Sequence, residues 1–168
     1  MTRLLSAVHP LRTAALLAAL ACGTAFAGPT NVPFKATLVV QEQIRPDPAR
    51  CQANPYLAGT TAGSGQASHL GAVTGSGTDC ITPTSAYTYA FSNGKLTLIA
   101  ANGDELRADY AGALTPSATP PIFVVAGTYR ITGGTGRFSG ASGTGAVGGL
   151  TNLQTGQGTL ELNGNISY

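Results

Sequence analysis

The chain has 168 residues, of which only 10% are charged, and nine lysines and arginines against seven aspartates and glutamates give a formal net charge of +2. Two of the nine basic residues, Arg3 and Arg12, lie in the first 27 residues, so residues 28–168 carry no net charge. A neutral chain with so few charges has no electrostatic basis for binding nucleic acid or an anionic membrane surface.

The first 27 residues have the pattern of a secretory signal peptide. Arg3 and Arg12 supply a positive N-terminal region, residues 11–21 supply a short apolar run, and Ala-Phe-Ala at 25–27 forms a small-x-small cleavage site. The run is too short for a typical membrane-spanning helix. We therefore expect a secreted or periplasmic protein with one domain at residues 28–168. The alternative is a lipoprotein anchored at Cys22, because this cysteine follows small and apolar residues.

Two cysteines remain after this segment, Cys51 and Cys80. In an oxidising compartment an even pair predicts one disulfide, which would close a loop of about 30 residues and stabilise the fold by about 3 kcal/mol. Two unpaired thiols are the alternative. His69 is the only histidine after residue 27 and there is no CxxC motif, so no metal site and no other cofactor is predicted.

The remaining sequence predicts an all-β protein, because glycine, threonine and serine recur too often for amphipathic helices. Short apolar runs separated by turn residues are typical of a sandwich or barrel. In chain order, strands are predicted at residues 35–44, 67–75, 86–91, 95–101, 104–111 and 122–131, and residues 158–166 are predicted to form a last strand or a tight hairpin. Residues 45–64, which contain three prolines, are predicted to be a long connection. A count of about eight strands suits a closed antiparallel barrel, which leaves no edge.

The clearest pair of strands is a hairpin whose turn is Asn102-Gly103, a dipeptide that favours type I′ geometry. Beyond the turn Glu105, Arg107 and Asp109 alternate and share one face, together with the even-numbered apolar residues of the preceding strand. Pointing into the barrel, these three would form a buried cluster able to orient or protonate a ligand. Pointing outward, they would be an exposed ladder, because charges are rarely buried.

Three further residues are candidates for a ligand site. His69 has the chemistry of a general base, and its alternative is a turn or surface histidine. Tyr87 and Tyr89 alternate along a predicted strand, so both would face one way and line a cavity for an aromatic ligand. The alternative for this pair is packing in the core or across strands.

Residues 131–149 (ITGGTGRFSGASGTGAVGG) are rich in glycine and allow three interpretations. A phosphate-binding loop is disfavoured, because the GxGxxG match at 143–148 is not followed by a helix. A flexible linker is disfavoured by the strands predicted on both sides. Turns, bulges and bends of a small barrel are favoured, since closing a barrel needs such kinks.

The longer segment TYRITGGTGRFSGASGTGAVGG resembles one found in the allene oxide cyclase and dirigent protein superfamily, and in small secreted bacterial proteins with the same barrel-like domain. The segments SHLG at 68–71 and LIAANGDEL at 98–106 extend the resemblance over most of residues 66–168. It implies a calycin-like barrel of eight antiparallel strands with an apolar central cavity. The residues that match the structural motif are Gly133, Gly134, Thr135, Gly136, Phe138, Gly140 and Gly143, and Phe138 is expected to plug the core.

Plant members of this superfamily cyclise a fatty-acid epoxide or steer the coupling of phenoxy radicals without a metal or organic cofactor. They form dimers or trimers, so the resemblance also implies a homo-oligomer. Dirigent-like segments often carry a functional arginine after the phenylalanine, where this chain has Ser142. The chemistry is therefore not carried over, since one fold hosts many functions.

Three functions remain open from the sequence. The first is a pocket for a small apolar or aromatic ligand with little or no catalysis. The second is a cofactor-free cyclase or isomerase, and the third is a structural or interaction protein of the cell envelope whose barrel is filled by side chains. The volume of the cavity separates the first two from the third, because ligand sites need about 300 Å³ or more, whereas small barrels can be entirely filled. A charged group that faces the cavity would separate the enzyme from the binding protein.

Overall fold

The computed structural model describes residues 30–168. The expected signal peptide, its cleavage site and the alternative lipid anchor at Cys22 lie outside the described residues. Within them, no helix is long and apolar enough to cross a membrane. Eight strands follow one another: β1 (Asn31–Pro46), β2 (Leu57–Ala67), β3 (Gly71–Pro83), β4 (Tyr89–Ala100), β5 (Glu105–Pro116), β6 (Ile122–Gly134), β7 (Gly143–Asn152) and β8 (Gln157–Ser167).

Every strand pairs antiparallel with its neighbours in sequence, and β8 pairs with β1 to close the barrel. The predicted all-β fold of eight antiparallel strands is confirmed. Side chains alternate between the lumen and solvent, as in β1, where Phe34, Ala36 and Leu38 are buried while Lys35 and Thr37 are exposed. The core is therefore the inside of a single closed sheet.

One end of the lumen is filled by large side chains. Phe138 sits on a short 3₁₀ helix (Gly136–Phe138) between β6 and β7, and its ring is completely buried. It packs at 5.0 Å from the ring of Tyr168, and Phe34 packs beside Tyr129 at 6.3 Å. The glycine-rich segment thus divides into the end of β6, this helix and the start of β7.

Several predicted strand boundaries are wrong. β2 runs through the predicted connection at 45–64, and the predicted strand at 67–75 is interrupted by a turn at residues 68–70. The sequence of β2, LAGTTAGSGQA, holds no large apolar side chain after its first residue, so it shows no apolar alternation. The predicted strands at 86–91 and 95–101 are one strand, β4, with a bulge where Asn93 takes a φ of 55°.

The predicted hairpin is present, but its turn and register differ from the prediction. Gly103 alone takes a positive φ, 86°, and its amide donates to the Ala100 carbonyl at 2.9 Å, so the turn is not type I′. The loop is longer than two residues, and Glu105 pairs with Ile99 and Asp109 with Lys95. A change of one residue in register moves a whole face, so the even-numbered apolar residues of β4 do not share the face of the charged residues.

The predicted disulfide between Cys51 and Cys80 is confirmed, with a sequence separation of 29. It ties the loop between β1 and β2 to the outer face of β3. Arg50, next to Cys51, donates from Nη2 to the Gly59 carbonyl of β2 at 2.8 Å. The disulfide therefore holds a guanidinium against the wall of the barrel.

Candidate functional site

A narrow cavity of about 70 Å³ lies in the lumen, in a region that the Phe138 plug does not fill. Most of its lining is apolar, with side chains such as Phe91, Val147 and Leu162. The polar groups among its lining residues are Glu42, Thr61, Asp79, Tyr110 and Thr151. Acidic side chains in an apolar lumen are costly to bury, so their environment decides what the cavity can do.

A hydrogen bond inside the barrel joins two strands that are not neighbours. The Tyr110 hydroxyl of β5 donates to Asp79 Oδ2 of β3 at 2.8 Å. Two glycines beneath this tyrosine have no side chain to block it. A Cβ on Gly94 of β4 would lie 2.6 Å from the Tyr110 ring, and one on Gly77 of β3 would lie 3.2 Å from its hydroxyl. These two glycines leave the space in which the tyrosine reaches across β4.

Asp79 and Glu42 face each other across a third glycine. A Cβ on Gly59 of β2 would collide with Asp79 Oδ1 and would lie 3.0 Å from Glu42 Oε1. The space that a side chain at Gly59 would fill is therefore occupied by two carboxylates, Asp79 from β3 and Glu42 from β1. A polar row of Tyr110, Asp79 and Glu42 runs around the inside of the barrel from β5 to β1.

Burial changes the proton affinities of all three groups. Desolvation, followed by the charge of Asp79, raises the pKa of Glu42 to about 7. Desolvation also raises the pKa of Asp79, although the Tyr110 hydrogen bond, the charge of Arg50 and the backbone amide of Gly59 oppose the rise. Desolvation and then the Asp79 charge raise the pKa of Tyr110, which stays a protonated donor. Near neutral pH Glu42 therefore exchanges a proton with solvent.

Two polar atoms of the cavity lining have no hydrogen-bond partner within residues 30–168, Asp79 Oδ1 and Thr151 Oγ1. Both residues are buried, at 6% and 5% exposure. Thr151 of β7 lies beside Gly158 of β8, where a Cβ would be 3.3 Å from the threonine Cβ. An unpartnered buried polar atom costs about 1–3 kcal/mol, so these two acceptors indicate a place for a bound donor.

The strand ends remote from Phe138 carry half-buried apolar side chains that pack against the core. We call this set the apolar rim: Ile44, Leu57, Tyr89, Phe123 and Leu153. The rings of Tyr89 and Phe123 lie 6.0 Å apart. Because these side chains keep part of their surface in solvent, this end of the barrel presents an apolar surface.

The three charged residues predicted for the site lie on the outer wall. Arg107 donates from Nε to Glu105 Oε2 at 3.1 Å, and Lys95 Nζ lies 2.8 Å from Asp109 Oδ1. None of Glu105, Arg107 and Asp109 is among the residues that line the cavity. The predicted sharing of a face with the even-numbered residues of β4 is wrong, because the loop at 101–104 is longer than the two-residue turn assumed.

The aromatic candidates and His69 also lie apart from the polar row of Tyr110, Asp79 and Glu42. His69 lies in the turn between β2 and β3 with a φ of 68°, and its Nε2 is 2.9 Å from the Pro33 carbonyl. Tyr87 precedes β4 and is 72% exposed, whereas Tyr89 belongs to the apolar rim. The two tyrosines therefore do not form a pair inside the barrel.

The glycine motif shapes the closed end. Thr135 Oγ1 accepts a hydrogen bond from the Glu105 amide at 2.9 Å, and Gly136 has a φ of 54° where a Cβ would collide with Asp104. Gly133 and Gly134 end β6, Gly143 begins β7, and Gly140 lies in the connection with open space around it.

Sequence reasoning missed Glu42, Asp79, Tyr110 and Thr151 as site residues. One signal was available: Glu42 is the one charged residue on the inward face of β1, which otherwise carries Phe34, Ala36, Leu38, Val40 and Ile44. Asp79 gave no comparable signal, because the boundaries of β3 were not recognised.

The fold defines the class of this protein as a closed antiparallel barrel of eight strands. No protein-family model and no curated protein matches the chain. Among solved structures it is similar to a pterocarpan synthase dirigent protein, with 14% identity, a TM-score of 0.46, and coverage of 96% of this chain and 99% of that one. A likeness of this degree carries no argument about the ligand or reaction of this chain.

Proposed function

We propose that the lumen binds a small, slim and largely apolar molecule whose hydrogen-bond donor meets Asp79. The observation that supports this most is the buried, unpartnered Asp79 Oδ1 at the wall of an otherwise apolar cavity. The Tyr110 hydroxyl donates to the other carboxylate oxygen, Asp79 Oδ2, and so fixes the orientation of the carboxylate. A few placed polar groups in an apolar pocket are the usual features of a small-molecule site.

The size of the cavity limits the ligand. A volume of about 70 Å³ has room for about two water-sized groups, well below the roughly 300 Å³ of common ligand pockets. Only the polar head and the first carbons fit there, so the rest of the molecule lies along the apolar rim. A fully filled barrel with a structural role is the competing interpretation. It does not explain why Asp79 Oδ1 and Thr151 Oγ1 are buried without hydrogen-bond partners.

A second function is supported by the proton affinity of Glu42. A carboxyl with a pKa of about 7 suits general acid–base catalysis at neutral pH, and here it stands beside a second carboxylate. In a cofactor-free cyclase or isomerase, one of the pair would take a proton from the substrate while the other returned one. Binding without turnover would leave the first proposal standing and remove the second.

We further propose that the barrel works outside the cytoplasm. The Cys51–Cys80 disulfide supports this, because such bonds persist in oxidising compartments. The signal-like residues 1–27 support it independently. Determining the N-terminal residue of the protein recovered from the medium, periplasm or membrane fraction tests it. A protein that begins at Met1 would contradict the proposal, whereas a lipid on Cys22 would mean an anchored protein that still lies outside the cytoplasm.

Binding is tested by NMR with benzyl alcohol as the probe. Saturable shifts of the Val147 and Leu162 methyl groups, which line the cavity, are expected. Asp79→Ala should weaken these shifts, whereas Asp109→Ala on the outer wall is the matched control. If neither benzyl alcohol nor a simple alkylamine perturbs the lumen, the binding proposal is wrong and the barrel is filled.

A further inference from the structure

The charge inside the lumen has one sign. Among the described residues that line the cavity, two are acidic, Glu42 and Asp79, and none is lysine, arginine or histidine. The nearest cation, Arg50, belongs to the loop outside β2, where its guanidinium is bound to the Gly59 carbonyl and lies 3.5 Å from Thr60 Oγ1. A ligand in the lumen therefore contacts two carboxylates, while the cation nearest to them, Arg50, lies on the outer side of β2.

The cavity offers more hydrogen-bond acceptors than donors. The hydrogen of the Tyr110 hydroxyl is already given to Asp79 Oδ2, while Asp79 Oδ1 and Glu42 offer lone pairs and the Thr151 hydroxyl can accept as well as donate. A group that donates several hydrogen bonds and carries positive charge complements this set. A protonated primary amine has three N–H donors and one positive charge.

We propose that the lumen selects a small primary ammonium with a slim apolar body, bound head-first between Asp79, Glu42 and Thr151. This inference rests on the proposed binding function and names its ligand class. The apolar lining and rim bind the body, and the carboxylates bind the head through charge-assisted hydrogen bonds.

Other occupants fit the site less well. A neutral alcohol has a single donor and would leave at least one acceptor unpartnered. Calcium or magnesium needs six or more oxygen ligands, and the described residues contain no group of three or more metal-binding side chains. An organic anion would face two carboxylates, with like charges close together in a medium of low dielectric constant.

The test compares hexylamine with hexan-1-ol, two probes of the same length that differ only in the head group. Isothermal titration at pH 7 should show hexylamine binding at least about tenfold more tightly. In buffers of different ionisation enthalpy, its binding should release protons, because a cation beside Glu42 favours the ionised carboxylate. Hexan-1-ol should release none.

Asp79→Asn and Glu42→Gln should each abolish most of the preference for the amine, with little change in the affinity for hexan-1-ol. Asp109→Asn, on the outer wall, is the matched control and should keep the preference. Should a lumen variant fail to fold, ¹³C NMR of the carboxyl groups in the unaltered protein replaces it: hexylamine must then shift the Glu42 signal toward the ionised form.

The outcomes separate the two proposals. Equal binding of both probes would overturn the ammonium proposal and leave the binding function in place. A preference that survives Asp79→Asn and Glu42→Gln would mean that the amine binds elsewhere, which also overturns it. If neither hexylamine nor hexan-1-ol binds, both the ammonium proposal and the binding function are overturned.

Discussion

At the scale of single residues, the lumen is defined by a few polar side chains among many apolar ones. Glu42 and Asp79 are held close together because Gly59 has no side chain between them. Tyr110 reaches Asp79 over Gly94 and Gly77 for the same reason. Such groups do not improve apolar packing, and the proposed binding function rests on them.

Glu42→Gln is expected to alter the pH dependence of stability. The pKa of Glu42 is about 7 in the folded protein against 4.5 ordinarily, so the native state binds its proton more tightly. This contribution, up to about 3 kcal/mol, is fully present below pH 4.5 and is lost as the pH rises through 7. Asp79 acts in the same direction, since burial raises its pKa as well.

Urea unfolding between pH 4.5 and 8 measures this effect. The free energy of unfolding of the wild type should fall across that range by more than that of Glu42→Gln. Glu161→Gln, at an exposed glutamate of β8, is the matched control. Parallel profiles for the wild type and Glu42→Gln would contradict the prediction.

Tyr110→Phe is expected to destabilise the protein by about 1–3 kcal/mol, because it leaves Asp79 Oδ2 buried without its donor. The loss of this hydrogen bond should also raise the pKa of Asp79 further, since the bond lowers it in the wild type. Denaturant unfolding and carboxyl NMR titration measure the two effects. Tyr87→Phe, at an exposed tyrosine, is the control, and an unchanged Asp79 titration would refute the role given to Tyr110.

At the scale of elements, the loop at residues 101–104 decides which residues of the β4–β5 hairpin face the lumen. Its length places Glu105, Arg107 and Asp109 outside, and Leu106 and Ala108 inside. A two-residue turn would have paired the charged residues with the apolar face of β4. The local sequence Asn-Gly is compatible with both loops, so the buried apolar face selected the register.

Replacing both Arg107 and Asp109 by alanine should change the free energy of unfolding by less than about 1 kcal/mol, because exposed ion pairs contribute little. Binding of benzyl alcohol should be unaffected. Chemical denaturation and the methyl shifts of the lumen provide the two measurements. A loss of binding in this variant would mean that Arg107 or Asp109 takes part in the ligand site, which contradicts their placement on the outer wall.

At the scale of the whole molecule, the two ends of the barrel differ. Phe138 is completely buried at the closed end, and the apolar rim surrounds the other. Phe138→Ala should therefore cost about 3–5 kcal/mol in unfolding free energy and leave a cavity next to Tyr168. Tyr87→Ala is the exposed control, and a cost below about 1 kcal/mol for Phe138→Ala would show that the ring is not a plug.

Part of this architecture could be predicted from the sequence alone. The β1 and β6 strands show strong apolar patterns, and Cys51 and Cys80 are the pair expected to bond. β2 could not be placed, because its small residues pack against β1 without any periodic signal. The polar row was missed for a related reason: Asp79, Gly59 and Glu42 are distant in sequence and become neighbours only through strand pairing.

The sequence by itself determined the class of fold, the disulfide and the motif that carries Phe138, because these depend on composition, on pairs of residue types and on local patterns. Tertiary structure decided which charged residues are buried. Register and closure place Glu42, Asp79 and Tyr110 on the inside and Glu105, Arg107 and Asp109 on the outside. The physical reason is that a strand has two faces, and one residue in a loop determines which of them meets the core.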